Sequence, residues 1–118
     1  MTTFEFSLFG GYTITFEKEQ MTIDVKGEKG WFFYRMKPRS KTIRYEDLLF
    51  IDYKEPGRAV GYVRFVTDEI KDYPSSQFVA QVDENSFLVE RDEKEKYQEL
   101  MMFVRKKLPN IAMNPLKM

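Results

Sequence analysis

Apolar side chains recur at every second position over short runs: Tyr12, Ile14 and Phe16, then Met21, Ile23 and Val25. A period of two places each set on one face of an extended strand, so a chain written this way must build a sheet with a buried face. The pattern continues, interrupted by turn residues, to about residue 90, and there it changes. Tyr97, Leu100, Met101, Val104 and Leu108 follow i, i+3, i+4, i+7, i+11, a single stripe along an α-helix. Strands first and one amphipathic helix last leave few architectures, because that helix must cover apolar surface offered by the sheet.

The spacing predicts a first hairpin that turns at Lys18-Glu19-Gln20. Gly27 and Gly30 bracket Glu28-Lys29 as a turn, after which residues 31–34 (Trp-Phe-Phe-Tyr) are apolar at every position and read as a strand covered on both faces, ended or edged by Pro38. A short strand over 42–45 precedes the polar Glu46-Asp47. Leu49, Ile51 and Tyr53 then resume alternation up to the turn Glu55-Pro56-Gly57. Residues 60–66 form the next strand, 68–76 a polar connection, and 77–82 and 86–89 the last two strands, joined at Asp83-Glu84-Asn85. The helix begins near Arg91, with Asp92, Glu93 and Glu95 in its first turns and Arg105, Lys106 and Lys107 in its last. Each sign opposes the helix dipole, contributing about 0.3–1 kcal/mol apiece. Pro109 stops it. The expectation is one domain over residues 1–118: about seven strands and a C-terminal helix, a core over 11–108, and a tail over 110–118.

The 118 residues carry 19 basic and 19 acidic side chains, no histidine and no cysteine. A chain of this size buries roughly two-thirds of its unfolded surface and needs no disulfide or metal to hold a core. Without cysteine there is no thiol nucleophile and no thiolate metal site, and without histidine the usual general base and transition-metal ligand are missing. The carboxylate pairs Glu46-Asp47, Asp68-Glu69 and Asp83-Glu84 read as turn residues, and neighbours in an extended chain point to opposite faces. No EF-hand loop or glycine-rich phosphate loop accompanies them. The expectation is therefore no catalytic residue, no metal site and no cofactor. A net charge of zero argues against bulk attraction to nucleic acid, and the aromatic run at 31–34 reads as core before it reads as a base-stacking platform. Residues 1–10 lack the basic start and long apolar run of a signal peptide, and no stretch reaches the roughly 20 apolar residues of a spanning helix, so the cytoplasm is the expected address.

Three local motifs, Ile43-Arg44-Tyr45-Glu46-Asp47-Leu48, Ala59-Val60-Gly61-Tyr62-Val63-Arg64-Phe65 and Asp83-Glu84-Asn85-Ser86-Phe87-Leu88-Val89 running into the helix, resemble those of small bacterial pleckstrin-homology-like (PH-like) domains. The resemblance covers roughly residues 11–108. It implies a mainly β fold, an antiparallel β-sandwich or partly open barrel of two near-orthogonal sheets with one open end closed by the C-terminal helix. It also implies an interaction or oligomerisation module, since such domains are not known as enzymes and several assemble into multimers. Each motif has a physical reading of its own: Ile43 and Leu48 bracket a turn, Gly61 permits close backbone approach, and Asn85 suits a left-handed turn position.

Two sets of residues are candidate sites. Residues 26–44 hold seven basic side chains, Lys26, Lys29, Arg35, Lys37, Arg39, Lys41 and Arg44, against the single acid Glu28. Those around Pro38 are placed to converge on a phosphate or an acidic surface; the plainer reading is a solvated hairpin whose basic residues protect a sheet edge. Lipid-binding relatives concentrate basic residues at the first hairpin, but here that turn is Glu17-Lys18-Glu19-Gln20, so a membrane surface is a weak alternative partner. The second set comprises Phe4, Phe6 and Leu8 at the N-terminus and Ile111, Met113 and Leu116 in the tail. These either pack on their own chain, with the N-terminal strand closing a sheet edge, or add to a neighbour's sheet. In the second case Phe6→Asp lowers the oligomeric state without unfolding the domain. The leading expectation is a non-catalytic protein-interaction or self-assembly module with a protein partner or a homo-oligomer. The alternative is a peripheral binder of an anionic ligand or membrane through residues 26–44.

Overall fold

The computed structural model describes residues 1–29, 34–36, 38–69 and 84–113. The alternating segments form two open four-stranded sheets. The first holds β1 (Thr2–Phe6), β2 (Tyr12–Phe16), β3 (Gln20–Val25) and β6 (Arg39–Arg44), in the order β1-β2-β3-β6 with every pair antiparallel. Between β3 and β6 a small hairpin pairs β4 (Glu28–Lys29) with β5 (Tyr34–Met36). The second sheet has the order β10-β7-β8-β9, from β7 (Phe50–Lys54), β8 (Gly61–Val66), β9 (Ser86–Val89) and β10 (Ala112–Met113), with β10 parallel to β7 and the other pairs antiparallel. The helix α1 (Lys94–Lys107) follows a 3-10 turn over Arg91–Glu93. These are the strands and single C-terminal helix that the periodicity predicts, in the mainly β sandwich that the resemblance implies, with open sheets rather than a closed barrel. Ten strands, three of them no longer than three residues, stand among the described residues where about seven were expected.

The core lies between the inner faces of the sheets, where aromatic rings interlock. Phe16 meets Phe65 edge-on at 6.4 Å between ring centres, and Phe87 stacks on Phe6 at 5.2 Å and approaches Tyr12 at 6.2 Å. The helix presents Tyr97, Leu100, Met101 and Val104 to this core, as its spacing requires, and Phe103 lies 5.0 Å from Phe16 and 5.7 Å from Phe4. Burial of each such ring contributes about 1.5–3 kcal/mol, with about 0.5–1.5 kcal/mol more for each well-oriented pair.

Three motif residues take the expected roles. Ile43 and Leu48, both buried, flank a 3-10 turn at Tyr45–Asp47, which the Tyr45 hydroxyl ties to the first hairpin by donating to Glu17 O at 2.6 Å. A Cβ on Gly61 would overlap Lys54 O and sit 2.6 Å from Pro56 N, so the turn before β8 closes against a bare backbone.

Elsewhere tertiary partners overrule the local pattern. Asn85 is not left-handed, since Phe9 alone among described non-glycine residues has positive φ. Its amide is instead buried and donates to Phe65 O at 3.1 Å. β6 begins at Arg39 rather than Thr42, because β3 offers six residues in register, from Val25 opposite Arg39 to Gln20 opposite Arg44. Glu28-Lys29 is the strand β4, with a bulge, rather than a turn. In the β7 region Leu49 is 46% exposed while Asp52 is buried, because Asp52 stands opposite Arg64 in register and its carboxylate lies 3.5 Å from that guanidinium. The predicted strand at 77–82, most of the polar connection at 68–76 and residues 31–33 of the aromatic run lie outside the described residues.

Candidate interaction surfaces

Hydrogen bonds at the strand ends establish which way each edge of the first sheet faces. The Tyr45 N–H donates to Glu19 O at 3.1 Å, and the next pair in register is Arg44 opposite Gln20. In an antiparallel ladder the direction of the backbone groups alternates, so Arg39, Lys41 and Ile43 turn theirs toward β3 while Ser40, Thr42 and Arg44 turn theirs outward. Those three residues are exposed, and among the described residues no strand pairs with this side of β6. A cleft of about 330 Å3 runs along the same edge, between Lys41, Thr42 and Ile43 on one side and Thr67, Asp68 and Glu69 on the other, with Asp47 also in its wall.

The same reasoning applied to β1 gives a different edge. The Lys26 N–H donates to Gly11 O and the Glu17 N–H to Gln20 O, so Tyr12, Ile14 and Phe16 direct their backbone groups at β1, while Thr3 and Glu5 face out. Here two of the outward backbone groups near the end of the strand, Glu5 O and the Ser7 N–H, meet residues at the start of the helix. Lys96 Nζ donates to Glu5 O at 3.2 Å, and the Ser7 N–H donates to the Glu93 carboxylate at 3.0 Å. The Ser7 hydroxyl also lies 3.1 Å from Glu93 and 3.2 Å from Glu90. Nothing local in the sequence signals this latch, whose partners are 83 to 91 residues apart.

Among the described residues, the basic side chains of the run do not lie on one side of β6. Arg39 and Lys41 share the inward side of β6 with Ile43, whereas Arg44 lies on the opposite side. Lys41 stands 3.5 Å from Glu69, and Arg44 Nε donates to Glu46 at 2.8 Å. Lys26 is exposed beyond the end of β3; Lys29 and Arg35 lie on β4 and β5; Lys37 is outside the described residues. Among the described residues, the cleft beside β6 holds three carboxylates, Asp47, Asp68 and Glu69, and one cation, Lys41, a balance that does not favour an anionic ligand.

Phe4, Phe6 and Leu8 belong to the chain's own structure. Phe6 is 2% exposed against Phe87, Phe4 packs on Phe16 and Phe103, and Leu8 is half-buried beside the core. Phe6→Asp would therefore place a carboxylate in the core, and the expectation that it leaves the fold intact is corrected on that ground. In the tail, Ile111 and Met113 pack against the core and Ala112–Met113 pairs with β7, while Leu116 lies outside the described residues.

Burial pushes the Tyr12 phenol up to about 12 against the opposing charge of Arg39, and burial likewise lifts Tyr45 to about 12. Tyr97 is raised too, by burial first and then by Tyr53 and Glu55, with Arg105 opposing. These phenols stay protonated near neutral pH. Among the described residues no three carboxylates gather in a metal-binding group, and no helix is long and apolar enough to cross a membrane. No family model, curated protein or solved structure matches this chain.

Proposed function

We propose that this chain is a PH-like, non-catalytic protein-interaction module, acting in the cytoplasm, that assembles with itself by strand addition at β6. The observation that carries this reading is the outward row of backbone donors and acceptors at Ser40, Thr42 and Arg44, the side of β6 on which no described strand pairs. Main-chain groups of this kind accept an added strand with little demand on its sequence. Charge supports a second copy as the partner. Lys41 on the strand lies beside Asp47, Asp68 and Glu69, so both signs line one cleft, and a surface that carries both signs can complement itself across a two-fold axis. The anionic-ligand alternative has less support among the described residues, where Lys41 stands with three carboxylates in the cleft.

The test is solution mass by light scattering over a dilution series, with Thr42→Pro as the variant. Proline removes an N–H that points away from β3 and so should spare the fold, whereas it blocks an incoming strand. The expected result is a multimer of the unsubstituted chain whose mass falls in Thr42→Pro toward that of the 14.2 kDa monomer or its arm-exchanged dimer, with circular dichroism unchanged. A monomer at every concentration, or a multimer that Thr42→Pro leaves intact, overturns the reading.

A further inference from the structure

We infer that the N-terminal strand β1 is an exchangeable arm, which leaves its own sheet and takes the same place on β2 of a second copy of this chain. The inference rests on the self-assembly reading and adds to it a second means by which two copies join. It starts from the connection between β1 and β2. Three consecutive residues there have positive φ: Phe9 at 55°, Gly10 at 84° and Gly11 at 122°. The two glycines take this conformation readily; Phe9, as an L-residue with a bulky side chain, does not. The connection is also pressed against the body, since a Cβ on Gly10 would overlap Gly27 O. A tight, strained hinge beside an N-terminal strand favours exchange, because opening releases the strain while every contact of the arm can be remade on a partner.

Those contacts are of the right kind. Phe4 and Phe6 fill pockets formed by Phe16, Phe103 and Phe87, and the Ser7 and Glu5 backbone groups meet Glu93 and Lys96. All of these receptors belong to parts of the chain that the arm reaches only by folding back through the hinge. An arm from another copy presents the same groups to them. The zero net charge sets no long-range repulsion against the approach of two copies.

Thr3 and Thr15 give a direct test. They stand opposite each other in the β1–β2 register at a pair whose backbone groups face away from each other, where the α-carbons come within about 4.5 Å and a disulfide can form. The chain has no cysteine, so Thr3→Cys with Thr15→Cys makes one defined bridge. Incubated at high concentration under reducing conditions and then oxidised, a closed arm gives a bridge within one chain, and an exchanged arm gives a covalent dimer on a non-reducing gel. We expect a covalent dimer that increases with protein concentration. Adding Gly10→Ala, which the closed hinge accommodates poorly, should raise the dimer fraction several-fold.

Bridges confined to single chains, while the light-scattering multimer persists and Thr42→Pro dissolves it, would overturn arm exchange and leave assembly at β6 standing. Covalent dimers that persist in Thr42→Pro, beside a light-scattering mass that Thr42→Pro leaves unchanged, would support arm exchange and overturn assembly at β6. A monomer with only internal bridges at every concentration removes both.

Discussion

Replacing Phe6 with alanine tests whether the N-terminal strand is part of the core. The ring is 2% exposed and stacks on Phe87 at 5.2 Å. Its removal forfeits about 2–3 kcal/mol of transfer free energy. The vacated space of about 100 Å3 costs about 2 kcal/mol more if the surroundings relax only partly, since measured cavity terms are about 24 cal/mol per Å3. Phe6→Ala should thus lose about 3–5 kcal/mol, a large share of the roughly 5–15 kcal/mol by which a domain is stable. Thr3→Ala on the exposed side of the same strand should change stability by no more than about 0.5 kcal/mol. Urea unfolding followed by circular dichroism, at one low protein concentration so that association does not contribute, gives both values. If Phe6→Ala unfolds at the midpoint of Thr3→Ala with an unchanged slope, Phe6 is not in the core and the reasoning fails.

Glycine offers a second contrast. Gly61→Ala should cost more than about 1 kcal/mol because its Cβ has no room against Lys54 O and Pro56, while Gly57→Ala, which meets nothing within 4 Å, should be near neutral in the same urea assay. The raised phenols predict alkaline lability. Tyr12 and Tyr45 titrate from 10.0 in the unfolded chain to about 12 in the folded one, so stability is fully present below pH 10 and falls as pH rises toward 12. Tyr12→Phe should flatten part of that decline in melts recorded between pH 9 and 12; an unchanged slope would refute the assignment of Tyr12.

The regular elements were legible because their information is local. Tyr12, Ile14 and Phe16 alternate within five residues, and the helical stripe from Tyr97 to Val104 spans two turns, so periodicity alone assigns both and gives the inward face of each. The turn flanked by Ile43 and Leu48 and the bare backbone at Gly61 were legible for the same reason. Asn85 was not: its residue type suits a turn, and the carbonyl that holds its amide belongs to Phe65, 20 residues away. Asp52 looked like the polar side of an alternating strand until Arg64 stood opposite it across the β7–β8 ladder.

The candidate site divides in the same way. Composition and charge pointed to interaction rather than chemistry, and the basic side chains of residues 26–44 could be counted without a structure. Their number said nothing of direction. Strand pairing carries Arg39 and Lys41 to one side of β6 and Arg44 to the other, and brings Glu69 and Glu46 within reach of two of them. Strand order, likewise absent from a linear pattern, leaves the outer side of β6 without a described partner while Glu93 and Lys96 meet two backbone groups near the end of β1. The sequence by itself determined the class of fold and the faces of its elements, because side-chain periodicity acts over a few residues. Which edge has no partner among the described residues was decided only in the tertiary structure, because that depends on groups brought together from opposite ends of the chain.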